Sequence, residues 1–314
     1  MRAQGAASAS SSSAGGAPQN EAHLARLAQA SGRPADLMKP AARLPLTKEC
    51  KHYYSSYEMP EILQKYWHQR YNLWEYYDDD IYMTDDAWFG VTAEPIAREI
   101  AQEMATNTSQ RRHKPRVLID LFAGAGGNTI QFALSGHWDR IIAIERDGPT
   151  LACAQHNAEA YGVDPGRITW VHGNCFDFLH RLVHHPDTLD NDNNSSNDSG
   201  GAAFWGEDMD DTPLQRGFEV FASPPWGGVG YEGAEVFDLE TMMEPYTLTE
   251  ISAACRPMAH ALFLPRNGDL AQLAGLVPDS PGTKLDVVQY CIQGASKGLV
   301  AYYPAEDDGD HGKA

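Results

Sequence analysis

One stretch, Asp120-Leu121-Phe122-Ala123-Gly124-Ala125-Gly126-Gly127-Asn128, constrains the fold more than any other. The apolar run Val117–Phe122 predicts a buried strand, and the glycines allow a tight turn before a helix from Asn128 to about Leu134. Backbone N–H groups at such a helix start face a ligand closely. The alternation then continues. Strands are predicted at Arg140–Glu145, Ile168–His172, Phe218–Ala222 and Ala261–Leu264, with helices at Thr150–Tyr161, Phe176–Val183, Thr247–Ala254 and Asp269–Leu276. Leu285–Ile292 and Leu299–Tyr303 can close the sheet as an antiparallel pair. This pattern predicts an α/β fold over 115–304: a mostly parallel seven-stranded sheet with helices on both faces. Ligands then bind at the carboxyl ends of the strands.

Around this unit the composition shifts. Residues 1–45, rich in Ser, Ala and Gly, read as a disordered tail, and the Asp/Asn/Ser run within 185–215 reads as a disordered acidic insertion. Residues 305–314 form a short acidic tail. Residues 53–104 are different: aromatic text with Tyr66, Trp67, Tyr71, Trp74, Tyr76 and Tyr77 predicts a helical N-terminal extension capping the active site. It ends in an amphipathic helix near Pro95–Met104. Tyr66, Tyr71 and Trp74 at helical spacing suit a core as well as a ligand, and Trp67 and Trp88 can glue the extension to the sheet. The formal charge is −19, of which −11 remains once both tails and the insertion are set aside. That balance disfavours a broad basic nucleic-acid surface. Five scattered cysteines without CxxC spacing, no clustered histidines and no long apolar run argue against disulfides, a metal, a signal peptide or a membrane span.

Two motifs carry chemistry. Glu145 ends the strand after the glycine turn, where a carboxylate can accept both hydroxyls of a ribose. The third glycine of a GxGxxG fingerprint would fall at Thr129, so an ordinary strand–helix turn with a solvated Glu fits the same text. Ser223-Pro224-Pro225-Trp226 follows the fourth strand. Two prolines fix the backbone there. A serine hydroxyl and a rigid carbonyl can accept from an exocyclic amino group while the indole stacks on the ring bearing it. A Pro-Pro turn with a surface Trp is the plainer alternative. Together the motifs point to a methyltransferase that alkylates planar amines.

Over residues 60–304 the sequence resembles the trimethylguanosine synthases, RNA cap guanine-N2 methyltransferases of the class I (Rossmann-like) fold that use S-adenosylmethionine. The resemblance rests on an ordered set: 65–71 (KYWHQRY), 88–92 (WFGVT), 126–134 (GGNTIQFAL), 157–162 (NAEAYG), 223–228 (SPPWGG) and 264–267 (LPRN). It implies conversion of the 7-methylguanosine cap of small nuclear and nucleolar RNAs to 2,2,7-trimethylguanosine. It further implies a nuclear, nucleolar or partly cytoplasmic monomer, served by ribonucleoprotein adaptors, with no metal and no membrane. Cofactor contacts implied are Trp74, Thr92, Asp120, Gly124, Gly126, Glu145 (in place of the commoner Asp), Asn174, Cys175 and Ser223. Ser223, Pro224 and Trp226 would form the catalytic set, and Asn157 would lie near the guanine edge. Lys65, Tyr231, Arg266 and Lys297 would clamp the triphosphate. Gly90 stands where relatives can carry serine. The alternatives are an amino-group methyltransferase acting on internal guanine or adenine, and an inactive cap-binding module.

Overall fold

The computed structural model describes residues 40–109, 117–184, 217–226, 233–277 and 285–305. Seven strands form one sheet: β1 (Val117–Asp120), β2 (Arg140–Glu145), β3 (Ile168–His172), β4 (Phe218–Ala222), β5 (Ala259–Leu264), β6 (Asp286–Ile292) and β7 (Ala295–Tyr303). Their order is β3-β2-β1-β4-β5-β7-β6, with only β7 antiparallel to its neighbours. The chain leaves β1 in one direction and reaches β4 from the other, so a topological switch point lies between them.

Successive residues of each inner strand feed two different cores. Leu118, Ile141, Ala143, Phe221 and Phe263 pack in one layer, whereas Val117, Ile119, Ile142, Val220 and Leu262 pack in the other. The first layer also takes the extension, including Tyr53, Trp74, Tyr77 and Trp88, so the extension and the sheet share one core. The second takes Phe178, Leu182, Leu248 and Leu273 from the opposite helices.

The extension differs from a continuous amphipathic helix. Two 3-10 turns (Ser56–Glu58 and Glu61–Leu63) and three one-turn α-helices, α1 (Gln64–Trp67), α2 (Arg70–Leu73) and α3 (Ala87–Gly90), precede α4 (Glu94–Ser109). Trp74 is extended, at φ −143° and ψ 111°, and this turns its indole inward and stops α2. Residues 40–45, expected in the tail, instead run beside β3. Ala41 N–H donates to Trp170 O at 2.7 Å, Leu44 N–H to Gln155 Oε1 at 2.8 Å, and Arg43 pairs with Glu159 at 2.9 Å. The remaining helices are α5 (Gly127–Ser135), α6 (Gly148–Ala160), α7 (Cys175–His184), α8 (Leu248–Cys255) and α9 (Leu270–Gly275). Several start on side-chain caps: Asp147 accepts from Thr150 N, and Thr247 and Glu250 form a reciprocal capping box. The acidic insertion at 185–215 and the acidic tail fall almost wholly outside the described residues.

Candidate active site

The glycine turn is built from behind. Asp120, the last residue of β1, is fully buried; its Oδ2 accepts from Thr129 Oγ1 at 2.6 Å and its Oδ1 from Phe122 N at 3.3 Å. Burial lifts its pKa to about 7, against the pull of those two hydrogen bonds. The resemblance implies a cofactor contact here. The structure differs: Asp120 is fully buried, with no surface exposed to a ligand, and it braces the turn from within. Thr129 is the partner that does so, which gives the missing third glycine a physical reason.

Glu145 closes the turn from the next strand. Its Oε2 accepts from Gly124 N at 2.9 Å and its Oε1 from Asp147 N at 2.8 Å. Burial raises its pKa while these backbone bonds lower it. Each oxygen keeps a second lone pair for a ligand hydroxyl. Gly124 sits at φ +54° with nothing within 4 Å of where a Cβ would be, so the space over the turn is open. Gly126, at φ +96°, has the opposite reason: a Cβ there would stand 3.3 Å from Ala154 Cα.

The extension docks onto this turn. A Cβ on Gly127 would lie 3.0 Å from Val91 Cγ2, and Asn128 Nδ2 donates to Thr92 Oγ1 at 2.9 Å. Asn128 Oδ1 is buried with no partner beside the turn. An open glycine turn, a carboxylate with spare lone pairs and an orphan acceptor suit a nucleoside-bearing ligand with an amino group. On the far side, Asn174 Oδ1 accepts from Phe176 N at 2.8 Å, and its Nδ2 meets Tyr246 OH at 3.4 Å. Cys175 is buried, and burial pushes its thiol up. Tyr246, tilted over Phe176 at 4.4 Å, is a wall residue that no local sequence signal marks, since it arrives from 72 residues away.

Next to the turn, across the β1–β4 pair, Ser223 is half-buried, Pro224 buried and Pro225 exposed. Trp226 donates its indole N–H to Phe263 O at 3.2 Å and lies 5.3 Å from that ring, tilted by 52°. Arg266 follows β5 as an exposed side chain whose Nη1 reaches Ser296 O at 3.5 Å. Tyr290 opposes Gly298 while Cys291 opposes Ser296, so Lys297 is the extra residue of a β-bulge. Arg266 thus reaches the residue next to Lys297 in the β6–β7 hairpin. Lys65 is exposed on α1, its Nζ 5.0 Å from the Tyr66 ring. A side chain at Gly90 would meet nothing within 4 Å. Tyr231 lies outside the described residues.

Two further expectations change. Asn157 is fully buried: its Oδ1 accepts from Tyr82 N at 2.9 Å, and its Nδ2 donates to Tyr82 O at 2.8 Å and Ala125 O at 3.0 Å. With every amide hydrogen used, it ties the extension to the glycine turn and has no donor left for a guanine. Trp74 is 1 % exposed and gives its N–H to Met83 Sδ, so its ring belongs to the core. A cavity of about 470 Å³ between Glu94, Arg98, Gln131 and Tyr161 includes none of the expected site residues.

Residues 115–306 match the family model described as RNA cap guanine-N2 methyltransferase. The trimethylguanosine synthase of Schizosaccharomyces pombe is 32 % identical over 247 residues, spanning 78 % of this chain and 87 % of that protein. The Saccharomyces cerevisiae trimethylguanosine synthase is 30 % identical over 244 residues, 76 % of this chain and 66 % of that one. A putative methyltransferase from Porphyromonas gingivalis W83, of known structure, shares 13 % identity at a TM-score of 0.49, over 92 % of this chain and 58 % of that one, and the assignment does not rest on it. With a family model spanning more than half its length, a 3-2-1-4-5-7-6 sheet and the Ser-Pro-Pro-Trp turn beside a glycine loop, the chain belongs to the RNA cap guanine-N2 methyltransferases.

Proposed function

We propose that the protein transfers methyl groups from S-adenosylmethionine to N2 of the guanine in a 7-methylguanosine RNA cap, in two successive transfers that give 2,2,7-trimethylguanosine. Its substrates would be small nuclear and nucleolar RNAs, met in the nucleus. The observation that carries this reading is the placement of Trp226, held by Phe263 O beside the open glycine turn. When bound, the cofactor supplies an electrophilic methyl and a neutral thioether leaving group.

The chain's own residues do the rest. Glu145 and the turn at Gly124 receive the nucleoside end of the cofactor. Trp226 presents a flat indole, and the positive charge that N7 methylation puts on guanine strengthens stacking by about 0.5–2 kcal/mol. Ser223 and the rigid carbonyl after it accept from the N2 amine and fix its direction. The N2 lone pair is delocalised and a poor nucleophile, so alignment must lower much of the barrier, up to about 7–11 kcal/mol. The proton leaves to water after transfer, with no general base required. Arg266, Lys297 and Lys65 supply a small cationic rim for one triphosphate, which suits an acidic chain.

Purified protein is offered m7GTP and GTP, and products are followed by mass spectrometry with time. Sequential mono- and dimethylation of m7GTP alone is expected. Equal methylation of GTP would instead select the amino-group enzyme of internal bases. Cap binding without detectable cofactor binding would select the inactive module.

A further inference from the structure

The Trp226 indole has a support that the motifs do not include. Phe263 holds it twice: the main-chain oxygen takes the indole N–H at 3.2 Å, and the ring packs against it at 5.3 Å. That ring is itself 5 % exposed and reaches across β7 to the Gly298 backbone. A Cβ on Gly298 would fall 2.6 Å from Phe263 Cε2, 2.7 Å from Cζ and 3.1 Å from Leu264 O. No positive φ demands glycine there; the ring, closest of the three contacts, does, with Leu264 O behind it. The bulge at Lys297 immediately precedes this point, so the strand that carries one rim cation also carries the floor under the indole.

We infer that Gly298 and Phe263 are positioning residues that seat the Trp226 indole, and so set where the acceptor guanine lies relative to the methyl donor. The inference rests on the proposed stacking role of Trp226. A side chain at 298 has no route to relax: it meets a buried ring on one side and a main-chain oxygen on the other. The ring must tilt, and it carries the indole with it. Displacement of a reacting group by about 1 Å can lower rate about 100-fold, whereas the cofactor end of the sheet, three strands away across β5 and β4, is untouched.

The experiment is a double-mutant cycle of Gly298→Ala and Phe263→Leu, read by kcat and KM for m7GTP, by cofactor Kd and by Trp226 fluorescence. The fluorescence is taken as the difference from the same protein bearing Trp226→Phe. Gly298→Ala is expected to raise KM and lower kcat, each by about fivefold or more, to shift the Trp226 emission, and to leave cofactor Kd within twofold. Adding Phe263→Leu, which removes the clashing ring edge, should return Gly298→Ala to the values of Phe263→Leu alone. Wild-type kinetics and unshifted emission for Gly298→Ala would overturn the inference, as would losses that add without rescue. If Gly298→Ala fails to fold, Phe263→Leu alone must shift the Trp226 emission, and its absence is equally fatal. Failure of the stacking reading looks different: Trp226→Ala then keeps the m7GTP KM, while Gly298→Ala still shifts the emission.

Discussion

The two halves of the sheet solve different problems. In the half formed by β3, β2, β1 and β4, the strands are parallel and almost wholly buried, and the binding turn is held by carboxylates hydrogen-bonded inside the protein. In the half formed by β5, β7 and β6, the pairing is antiparallel, the edge strand is largely exposed, and the working groups are two cations, Arg266 and Lys297, with the Trp226 indole packed onto β5. The first half can be rigid because one cofactor shape always enters it. The second must accept a cap that continues into RNA, so Arg266 stands out in solvent and Trp226 and Lys297 are half-buried at the rim, where single charges contribute little. Damage should therefore be steep at the seat and shallow at the rim.

Trp226→Ala tests the steep side: turnover is expected to fall about 100-fold or more while calorimetric cofactor affinity stays within twofold. Near-normal turnover would erase the distinction between the halves. Asn157→Ala should lower stability by about 2–4 kcal/mol in chemical denaturation, since it strands Tyr82 N, Tyr82 O and Ala125 O; a stable variant with a selectively raised cap KM would return Asn157 to the guanine edge. Glu145→Ala is expected to weaken cofactor binding by about 10–100-fold, read by calorimetry, with m7GTP binding preserved. Arg266→Ala belongs to the shallow side. Its KM for triphosphate-bearing caps should rise about two- to fivefold with a flatter salt dependence, and no change on m7G nucleoside. A further effect concerns pH. Asp120 titrates near 7 in the folded chain against an ordinary 3.8, so the folded state holds the extra proton between those values. The contribution of Asp120 to stability should be full below about pH 4, fall as pH rises towards 7, and be lost above it. Asp120→Asn should flatten that part of the Tm–pH curve.

Most of the fold was legible because burial on both faces imposes short continuous apolar runs on the inner strands, and glycine and proline mark the breaks between elements. The strand and helix positions from 117 to 303 were readable for that reason, within a few residues. The extension was legible in its last helix, at Glu94–Ser109, but not in its aromatic part. Its aromatic spacing satisfies a helix, yet Trp74 and Tyr77 face a core supplied by residues far away in sequence. At the site, Glu145 and Ser223–Trp226 were visible because each follows a strand at a tell-tale distance. Thr129, Tyr246, Phe263 and Gly298 were not, since their roles exist only through contacts with distant residues.

By itself, then, the sequence determined the sheet, the glycine turn, the Ser-Pro-Pro-Trp turn and an acidic chain with few cations to spend on RNA. Those are properties of local pattern and composition. Only the tertiary structure decided which polar groups remain available. Asp120 and Asn157 carry the residue types of ligand contacts, but packing buries both completely, and a side chain with no exposed surface has little to offer a ligand.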